Sequence, residues 1–396
     1  MSMKLALVLG STLAIQHSLI TQWVDHNNHG TTFQQRYLVN DTFYRTGGTA
    51  FLLLSGGAVD EVTPNVSILM DAAKEHRGTL YYLEHRFYGS SFPHSPTKYL
   101  KYLSNEMVLQ DIAEFINHIG EKVIVMGDLY AADVALDFAQ LFPNLAKGVI
   151  ASSPQQPALA NPIAFSKNVL RILNIQGGPE CTATIIDAIS HVDSSLNSKN
   201  HTEYLIIAAK FGFPAISKDE FAENLEQFLL LLEFNNESNV LAKICKKIVA
   251  SPHKSIDKLA QAFQVIRKCP IFKHYQASKH SHDAFIRNYQ QCSQLGFLPT
   301  QHSIIPSYLS KHYYMSKCKA LGFPYTPHIR PQPTPKHALT LYGQFDLYLP
   351  DHFSSSTHII QGASTSTSIY SIDPDEPNPI HAAKATILAS IRTWLQ

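Results

Sequence analysis

Short apolar runs separated by polar turns occupy the first part of the chain, and their order predicts alternating strands and helices. "TAFLLLSGG" (residues 49–57) ends in paired glycines, and "GTLYYLEHRFYGSS" (78–91) is rich in aromatic residues that favour strands. "KVIVMG" and "KGVIASSP" follow, and residues 131–141 between them repeat their apolar positions with a helical period. This alternation predicts a parallel sheet with right-handed crossovers.

The pattern becomes mainly helical from about residue 161 to about residue 336, as in "DEFAENLEQFLLLLEF" (219–234). Strand patterns resume at "HALTLYGQFD" (337–346) and "THIIQGAS" (357–364). We therefore predict an α/β core formed by residues 19–160 and 337–396, interrupted by an inserted helical domain at 161–336. The last predicted helix, residues 378–395, has one apolar face that comprises Ile380, Ala383, Ile387, Ile391 and Trp394.

The amino-acid composition excludes some classes of binding partner. The 396 residues are 45% hydrophobic and 16% charged, so the chain can bury a large core. Lys and Arg number 32 against 31 Asp and Glu, so we expect no nucleic-acid partner and no polybasic membrane patch. No later run approaches the roughly 18 apolar residues of a membrane span. We expect neutral small molecules, peptides or proteins as partners.

The first 18 residues, "MSMKLALVLGSTLAIQHS", predict a secretory signal peptide: a lysine, an apolar run and small residues near Ala14. The alternative is a buried first strand or helix. Glycosylation sequons agree with a secretory route to a secreted, lysosomal or vacuolar destination, and they lie at Asn40, Asn65, Asn200 and Asn236.

All five cysteines lie in the helical stretch, at Cys181, Cys245, Cys269, Cys292 and Cys318. Their spacing differs from that of paired zinc ligands, so we expect no metal site and one or two disulfides. Buried free cysteines are the alternative.

The segment "EKVIVMGDLYAADVALDFAQLFP" (121–143) predicts a buried strand, a glycine turn and an amphipathic helix. An α/β-hydrolase presents its nucleophilic serine on such a turn, in the pattern Gly-x-Ser-x-Gly. Here Leu129 stands in the place of the serine.

Five longer motifs extend this likeness over nearly the whole chain after the leader: "DHNNHGTTFQQRYLVNDTFY", "EHRFYGSS", "YLSNEMVLQDIAEFI", "NYQQCSQLGFLPT" and "YGQFD". In the same order, they resemble signatures of the prolyl carboxypeptidase and dipeptidyl peptidase II family of serine exopeptidases, which includes thymus-specific serine protease. The resemblance implies an α/β-hydrolase core and a helical cap domain that shapes a proline-accepting pocket. It also implies a Ser, Asp and His triad in secreted or lysosomal enzymes that need no cofactor.

The resemblance assigns the triad residue by residue. The family's Gly-Gly-Ser-Tyr-Gly-Gly aligns with residues 127–132 and places Leu129 at the nucleophile. Its Asn-Gly-x-x-Asp motif aligns with "YGQFD" and retains the acid as Asp346, whereas its Gly-x-Ala-His turn aligns Ser364 with the histidine. Leucine cannot attack a carbonyl and serine cannot replace the imidazole base, so we expect an inactive, peptide- or protein-binding pseudopeptidase.

The resemblance also implies roles for other residues. Gly56, Gly57 and the backbone N–H of Tyr130 align with the oxyanion site, although the glycines can also serve only a tight turn. Arg86, in the neighbouring "HRFYG" turn, can pair with a carboxylate of the fold. Asp128 is a helix N-cap or, less favourably, a nucleophile.

In the cap, Cys292 and Cys318 match family cysteines and are expected to be bridged, while Cys181 pairs with Cys245 or Cys269.

Two rival hypotheses stay open. One is an active Pro-x carboxypeptidase or dipeptidyl peptidase with a rearranged site, for which Ser55, Ser152 and Ser153 are the nearby nucleophiles and His352 and His358 the nearby bases. The other is a structural glycoprotein without a specific ligand. The inactive pseudopeptidase is compatible with a proline-bearing ligand and with a homodimer.

Overall fold

The computed structural model describes residues 15–60, 62–160, 162–234, 240–268, 281–296, 307–327, 332–373, 375 and 377–396. The chain divides into two compact units. The helical unit comprises Asn161–Ser281 and Gly296–Thr326; the sheet unit comprises the described residues up to 160, His282–Leu295 and Pro327–Gln396. Residues 282–295 and 327–336 thus group with the sheet, whereas the sequence pattern assigns them to the insertion.

One eight-stranded sheet organises the sheet unit, in the order β1-β2-β4-β3-β5-β6-β7-β8. The pairs from β4 to β8 are parallel, as the sequence predicts, while β1 pairs with β2 and β2 with β4 in antiparallel fashion. The strands are β1 (Gln16–Trp23), β2 (Thr32–Asn40), β3 (Ala50–Leu54), β4 (Thr79–Leu83), β5 (Val123–Asp128), β6 (Ala146–Ser152), β7 (Ala338–Phe345) and β8 (Thr357–Ser364).

The helices in the described part of the chain are α1 (Thr63–Val66), α2 (Ile68–Glu75), α3 (Asn105–Ile119), α4 (Tyr130–Leu141), α5 (Gln156–Ala160), α6 (Pro162–Gly177), α7 (Pro179–Asn197), α8 (His201–Lys210), α9 (Lys218–Phe234), α10 (Val240–Ala250), α11 (Ser255–Ile266), α12 (His282–Gln290), α13 (Lys311–Ala320) and α14 (Asn378–Leu395). Short turns of 3₁₀ helix cover Pro96–Tyr102 and Thr367–Ile369, and a π-helical turn covers Gln291–Leu295. Within these residues, no helix has the length and apolar character to cross a membrane.

Two apolar layers cover the sheet, one on each face, because successive strand residues point to opposite sides. In β5, Val125 packs in the layer that contains α3 and α4, while Met126 packs in the layer that contains α2 and α14. The predicted apolar face of α14 is confirmed: Ile387 and Ile391 are fully buried there. Because β3 and β5 are buried on both faces, their sequences are near-continuous apolar runs.

β1 begins inside the predicted leader. Residues 16–18 pair with β2, so the fold uses part of the segment 1–18 as a strand. Residues 1–14 lie outside the described residues.

In the helical unit, Cys181 of α7 and Cys245 of α10 form a disulfide, which decides between the two partners left open for Cys181. Cys292 and Cys318 are each disulfide-bonded, and Cys269 lies outside the described residues.

Candidate functional site

A strained turn joins β5 to α4 at the nucleophile position of the resemblance. Leu129 has φ 53° and ψ −122°, a backbone conformation that a residue with a side chain seldom adopts. Its N–H donates to Ser152 O at 2.9 Å, and Ala132 N donates to Leu129 O at 3.0 Å. The chain therefore keeps the sharp strand-to-helix elbow although the residue at its tip carries no reactive atom.

Gly127 allows the elbow to close. A Cβ at this position would lie 2.0 Å from Ala131 O, so only glycine lets α4 start this close to β5. A non-glycine residue held at positive φ costs on the order of 1–3 kcal/mol, and neighbouring contacts must offset that cost at Leu129. Here the contact with Ser152 and the burial of the first turn of α4 hold the turn in place.

Asp346 lies directly after β7 and is fully buried. Its carboxyl group accepts three hydrogen bonds: from Ser153 Oγ at 2.5 Å, from Tyr348 N at 2.8 Å and from Thr365 Oγ1 at 3.2 Å. Burial raises the pKa of Asp346 to about 6, although these donors oppose the shift. Within the described residues, no histidine hydrogen-bonds to this carboxyl group.

The turn after β8 brings hydroxyl groups to the place where the resemblance expects an imidazole. Ser364, assigned to the histidine position, is buried, and its hydroxyl lies 3.3 Å from Thr367 Oγ1. The next residue, Thr365, is the one that contacts Asp346. Ser364 therefore lies beside the acid, but the residue of this turn that donates a hydrogen bond to Asp346 is Thr365. This residue is one position after the one that the sequence alignment assigns to the histidine. His352 and His358, the alternative bases, are exposed.

Asp128 provides a second carboxyl group, besides that of Asp346, at this end of the sheet. Burial raises its pKa to about 6, while hydroxyls of Ser366 and Ser152 lower it and the nearby Asp346 charge raises it. Its Oδ1 is buried and has no hydrogen-bond partner among the described residues. The expected N-cap role of Asp128 is wrong: α4 begins at Tyr130, and its N-terminus carries no side-chain cap.

The glycines assigned to the oxyanion loop differ in their contacts. A Cβ on Gly56 would lie 3.7 Å from the ring of Tyr130, so the structure brings this glycine to the elbow. The N–H of Gly57 instead donates to Ser55 Oγ at 3.1 Å, and a Cβ on Gly57 would meet the ring of Tyr88 at 3.3 Å. Gly56 is thus the better placed of the two glycines.

His85 approaches the elbow, a contact that the sequence analysis does not identify. Its Nδ1 lies 2.8 Å from Arg86 O and its Nε2 lies 3.1 Å from Tyr130 Oη. Burial lowers the pKa of His85 to about 4, so the ring is neutral at neutral pH. A neutral imidazole has one N–H; because a carbonyl can only accept, Nδ1 carries the proton and Nε2 accepts from the Tyr130 hydroxyl. The "HRFYG" motif was the only signal for this residue in the sequence.

Arg86 has a structural role, the alternative that the sequence analysis gives for it. Its guanidinium donates to both oxygens of Asp111, at 2.6 Å each, and to the carbonyl oxygens of Val24, Tyr102 and Trp23. These contacts use all five donors of the side chain, so none is left for a ligand.

A cavity of about 290 Å³ opens beside the elbow, within the sheet unit. None of the described residues that line it is Lys, Arg or His. Its polar lining consists of Ser104, Asn105, Glu106, Tyr130, Gln156 and Gln294.

The predicted glycosylation sites differ in exposure. Asn40 is 2% exposed and its Nδ2 donates to Asn65 Oδ1 at 3.0 Å, so the folded chain does not present this amide to solvent. Asn200 is exposed and caps α8 through Oδ1, which leaves its nitrogen on the surface. Asn236 lies outside the described residues.

Comparison with known proteins identifies similar sequences over most of this chain. The family model described as Serine carboxypeptidase S28 matches residues 22–324. Human Lysosomal Pro-X carboxypeptidase is 29% identical over 218 residues, which cover 50% of this chain and 44% of that protein. The bovine protein of the same name is 31% identical over 196 residues, covering 44% of this chain and 39% of that protein. The chain thus matches less than half the length of these relatives.

Among solved structures, proline iminopeptidase from Mycobacterium smegmatis is 12% identical with a TM-score of 0.44, covering 95% of this chain and 100% of that one.

Proposed function

The chain belongs to the serine carboxypeptidase S28 family, and from this membership we propose that it is a non-catalytic member that binds a peptide or a peptide-like segment of a protein. The proposed binding surface is the cleft at the β5–α4 elbow, where active relatives would carry out acyl transfer. A proline-bearing peptide is the proposed ligand, because the matched relatives are named Pro-X carboxypeptidases.

The observation that supports the proposal is the residue at the elbow. Leu129 has the backbone conformation of a presented nucleophile, and its side chain is a hydrocarbon. Covalent acyl transfer needs an oxygen, sulfur or nitrogen nucleophile together with a base that removes its proton. In a well-studied serine protease, loss of triad members leaves only about 10³ to 10⁴ of rate enhancement, from the oxyanion site and binding.

The surroundings of Asp346 support the same conclusion. The retained acid of a triad orients an imidazole, yet the side chains that donate to Asp346 here are the hydroxyls of Ser153 and Thr365. Hydroxyl groups do not accept a proton near neutral pH. Among the residues that the structure describes, the acid therefore has no base to orient.

A rearranged active site receives less support. Ser152 and Ser153 are fully buried, with Ser153 Oγ donating to Asp346 and Ser152 Oγ accepting from Ser368 Oγ at 2.8 Å. Ser55 Oγ donates to Gly57 O at 2.8 Å. No described histidine hydrogen-bonds to any of the three hydroxyls, so within the described residues none of them has the base that a nucleophilic serine requires.

A lysosomal or secreted location is part of the proposal. The disulfide between Cys181 and Cys245 is typical of proteins that pass through an oxidising compartment. The names of the matched relatives point to the lysosome.

Hydrolysis of Pro-bearing fluorogenic peptides tests the proposal. The native chain is compared at about pH 4 to 8 with two double variants, Leu129→Ser with Ser364→His and Leu129→Ser with Thr365→His, because Thr365 is the residue that contacts Asp346. We expect no detectable hydrolysis by the native chain and measurable turnover by one of the double variants. Labelling of the native chain at any serine by a fluorophosphonate, or native turnover that neither variant improves, would show that another nucleophile operates.

A further inference from the structure

A second cavity, of about 180 Å³, lies within the helical unit between α10 and α11. Eight side chains line it, four from each side at positions i, i+3, i+4 and i+7: Ile244, Lys247, Ile248 and Ser251 from α10 and the residue that follows it, and Lys258, Gln261, Ala262 and Val265 from α11. Residues with this spacing share one side of a helix. The cavity is therefore a groove between two facing helix surfaces, and we name it the hairpin groove.

The floor of the hairpin groove is apolar. Ile244, Ile248 and Ala262 are buried, while Val265 is 53% exposed. Contact with an alkyl group would remove this remaining apolar surface from water, which is favourable. An apolar cavity of about 150 Å³ admits benzene, so the groove has room for an alkyl chain of about six to eight carbons.

The walls of the groove are fixed by the rest of the helical unit. Cys245 of α10 is disulfide-bonded to Cys181 of α7, and α11 has Leu259 and Phe263 fully buried. A groove that is formed in advance binds a ligand without the entropic cost of ordering its walls.

Two lysines give the groove a positive end. The four-residue connection 251–254 returns the chain, so α11 runs back along α10 and residues equally far from the connection face each other. This places Lys247 opposite Lys258, with Val265 toward the far end. Neither ammonium group has a hydrogen bond or an ion pair within the described part of the chain.

The other two polar side chains of the groove can also donate to an anion. Ser251 Oγ accepts from His253 N at 3.4 Å, which leaves the hydroxyl proton available. Gln261 is exposed, and its amide has two N–H donors beside one acceptor. None of the described lining residues is Asp or Glu. An anion would therefore meet donors and positive charge, whereas a cation would meet two like charges.

The segment that carries the groove is basic, although the whole chain is nearly neutral. Residues 243–268 contain seven Lys or Arg and one acidic residue, a formal charge of +6 against +1 for the whole chain. The acidic residue, Asp257, already pairs with Lys210 Nζ. Like charges concentrated on one surface raise the local concentration of anions.

We propose that the hairpin groove binds a medium-chain fatty acid anion, with its carboxylate between Lys247 and Lys258 and its alkyl chain on the apolar floor toward Val265. A carboxylate has two oxygens, one for each ammonium group. A stable protein partner would bury about 1,200 Å² or more, whereas this floor consists of four side chains. No residue of the elbow lines the groove, so the inference does not rest on the proposed peptide-binding function.

Calorimetric titration of the full-length protein with octanoate at neutral pH tests the inference. Octanol and octylammonium keep the alkyl chain but remove or reverse the charge, and butyrate keeps the charge but shortens the chain. Hexaglutamate serves as an acidic peptide without an alkyl chain. We expect octanoate to bind about tenfold or more tightly than each of these probes.

Substitutions locate the site. The double variant Lys247→Gln with Lys258→Gln should weaken octanoate binding about tenfold, and Lys246→Gln, which removes an exposed lysine of α10 outside the groove, should not. Val265→Gln should weaken octanoate and leave butyrate unchanged. Its matched control is Ile206→Gln, which alters an exposed apolar residue of α8. Each variant is first compared with the parent by thermal unfolding, and only variants that unfold like the parent are titrated.

Several results would overturn the proposal. Absence of octanoate binding, or equal binding of octanoate, octanol and octylammonium, would exclude an anion site. Equal losses in Lys246→Gln and in the double variant would show a general effect of surface charge and exclude the groove. Tighter binding of hexaglutamate than of octanoate would identify an acidic peptide as the occupant instead.

Discussion

Replacing Asp128 with asparagine should make the sheet unit more stable than the parent at neutral pH and not at acidic pH. The asparagine amide resembles a protonated carboxyl group and carries no charge at any pH. Asp128 Oδ1 is buried without a hydrogen-bond partner in the described residues, and Asp346 lies close enough for its charge to oppose that of Asp128. The folded protein therefore favours the neutral form at this position.

The magnitude follows from the pKa of Asp128. Burial raises it from 3.8 to about 6, and one pKa unit corresponds to about 1.4 kcal/mol, which gives about 3 kcal/mol as an upper value. Asp128 keeps partial solvent access, so we expect about 1–2 kcal/mol. Since the folded pKa of Asp128 is raised, the parent has its full stability at this position below about pH 3.8 and loses it as the pH rises through about 6. The asparagine variant has no charge to gain, so its advantage over the parent appears over the same pH range.

The comparison of variant and parent isolates this group from others that titrate in the same range. Asp346 acts in the same direction, because burial raises its pKa as well, to about 6. His85 acts in the opposite direction, because burial lowers its pKa to about 4 and its neutral form favours folding only at higher pH. The parent's own pH profile therefore combines opposing contributions, whereas the difference between the two proteins does not.

Unfolding followed by tryptophan fluorescence provides the assay. The two tryptophans, Trp23 and Trp394, both lie in the sheet unit, so their emission reports on that unit. From pH 4 to 7.5 the variant should gain about 1–2 kcal/mol relative to the parent, at about 2–4 °C in melting temperature per kcal/mol. Glu114→Gln serves as the exposed control. A difference that stays constant with pH, or that shrinks as the pH rises, would refute the reasoning.

Four further substitutions have definite expected outcomes. In cells that glycosylate secreted proteins, Asn200→Gln should lower the apparent mass by one glycan on a gel and Asn40→Gln should not, because only Asn200 is exposed. Gly127→Ala should cost about 3 kcal/mol or more in urea unfolding, since its Cβ would lie 2.0 Å from Ala131 O. Arg86→Met should cost about 3–5 kcal/mol in the same assay, because it removes both hydrogen bonds of the guanidinium to the buried Asp111 carboxylate, which then keeps only His26 Nε2 among the described side chains.

Matched controls accompany these variants. Gly30→Ala places a Cβ no closer than 3.9 Å to another residue, so it should leave the unfolding curve nearly unchanged. Arg45→Met removes an exposed arginine whose described contact is Tyr44 O. A glycan on Asn40, wild-type unfolding of Gly127→Ala, or equal losses for Arg86→Met and Arg45→Met would each contradict the corresponding argument.

The core of the sheet unit was predictable because its signals are local. Alternation with period two and helical spacing depend on neighbouring residues, so the apolar runs of β3 and β5 and the buried face of α14 could be identified from the sequence. The antiparallel pair β1 and β2 was not predicted, because "QHSLITQW" overlaps the apolar leader pattern and its pairing with β2 is a tertiary contact.

The sequence alone determines which atoms are available at the elbow. Leucine at position 129 has no nucleophilic atom in any fold, and the turn signal around Gly127 is a property of adjacent residues. Only the tertiary structure decides which side chains meet there. Thr365 rather than Ser364 contacts Asp346, and His85 reaches Tyr130 from 45 positions away. Such contacts depend on how strands and loops pack. A shift of one residue in a turn exchanges one partner for another, and local sequence patterns do not determine the position of the turn to that precision.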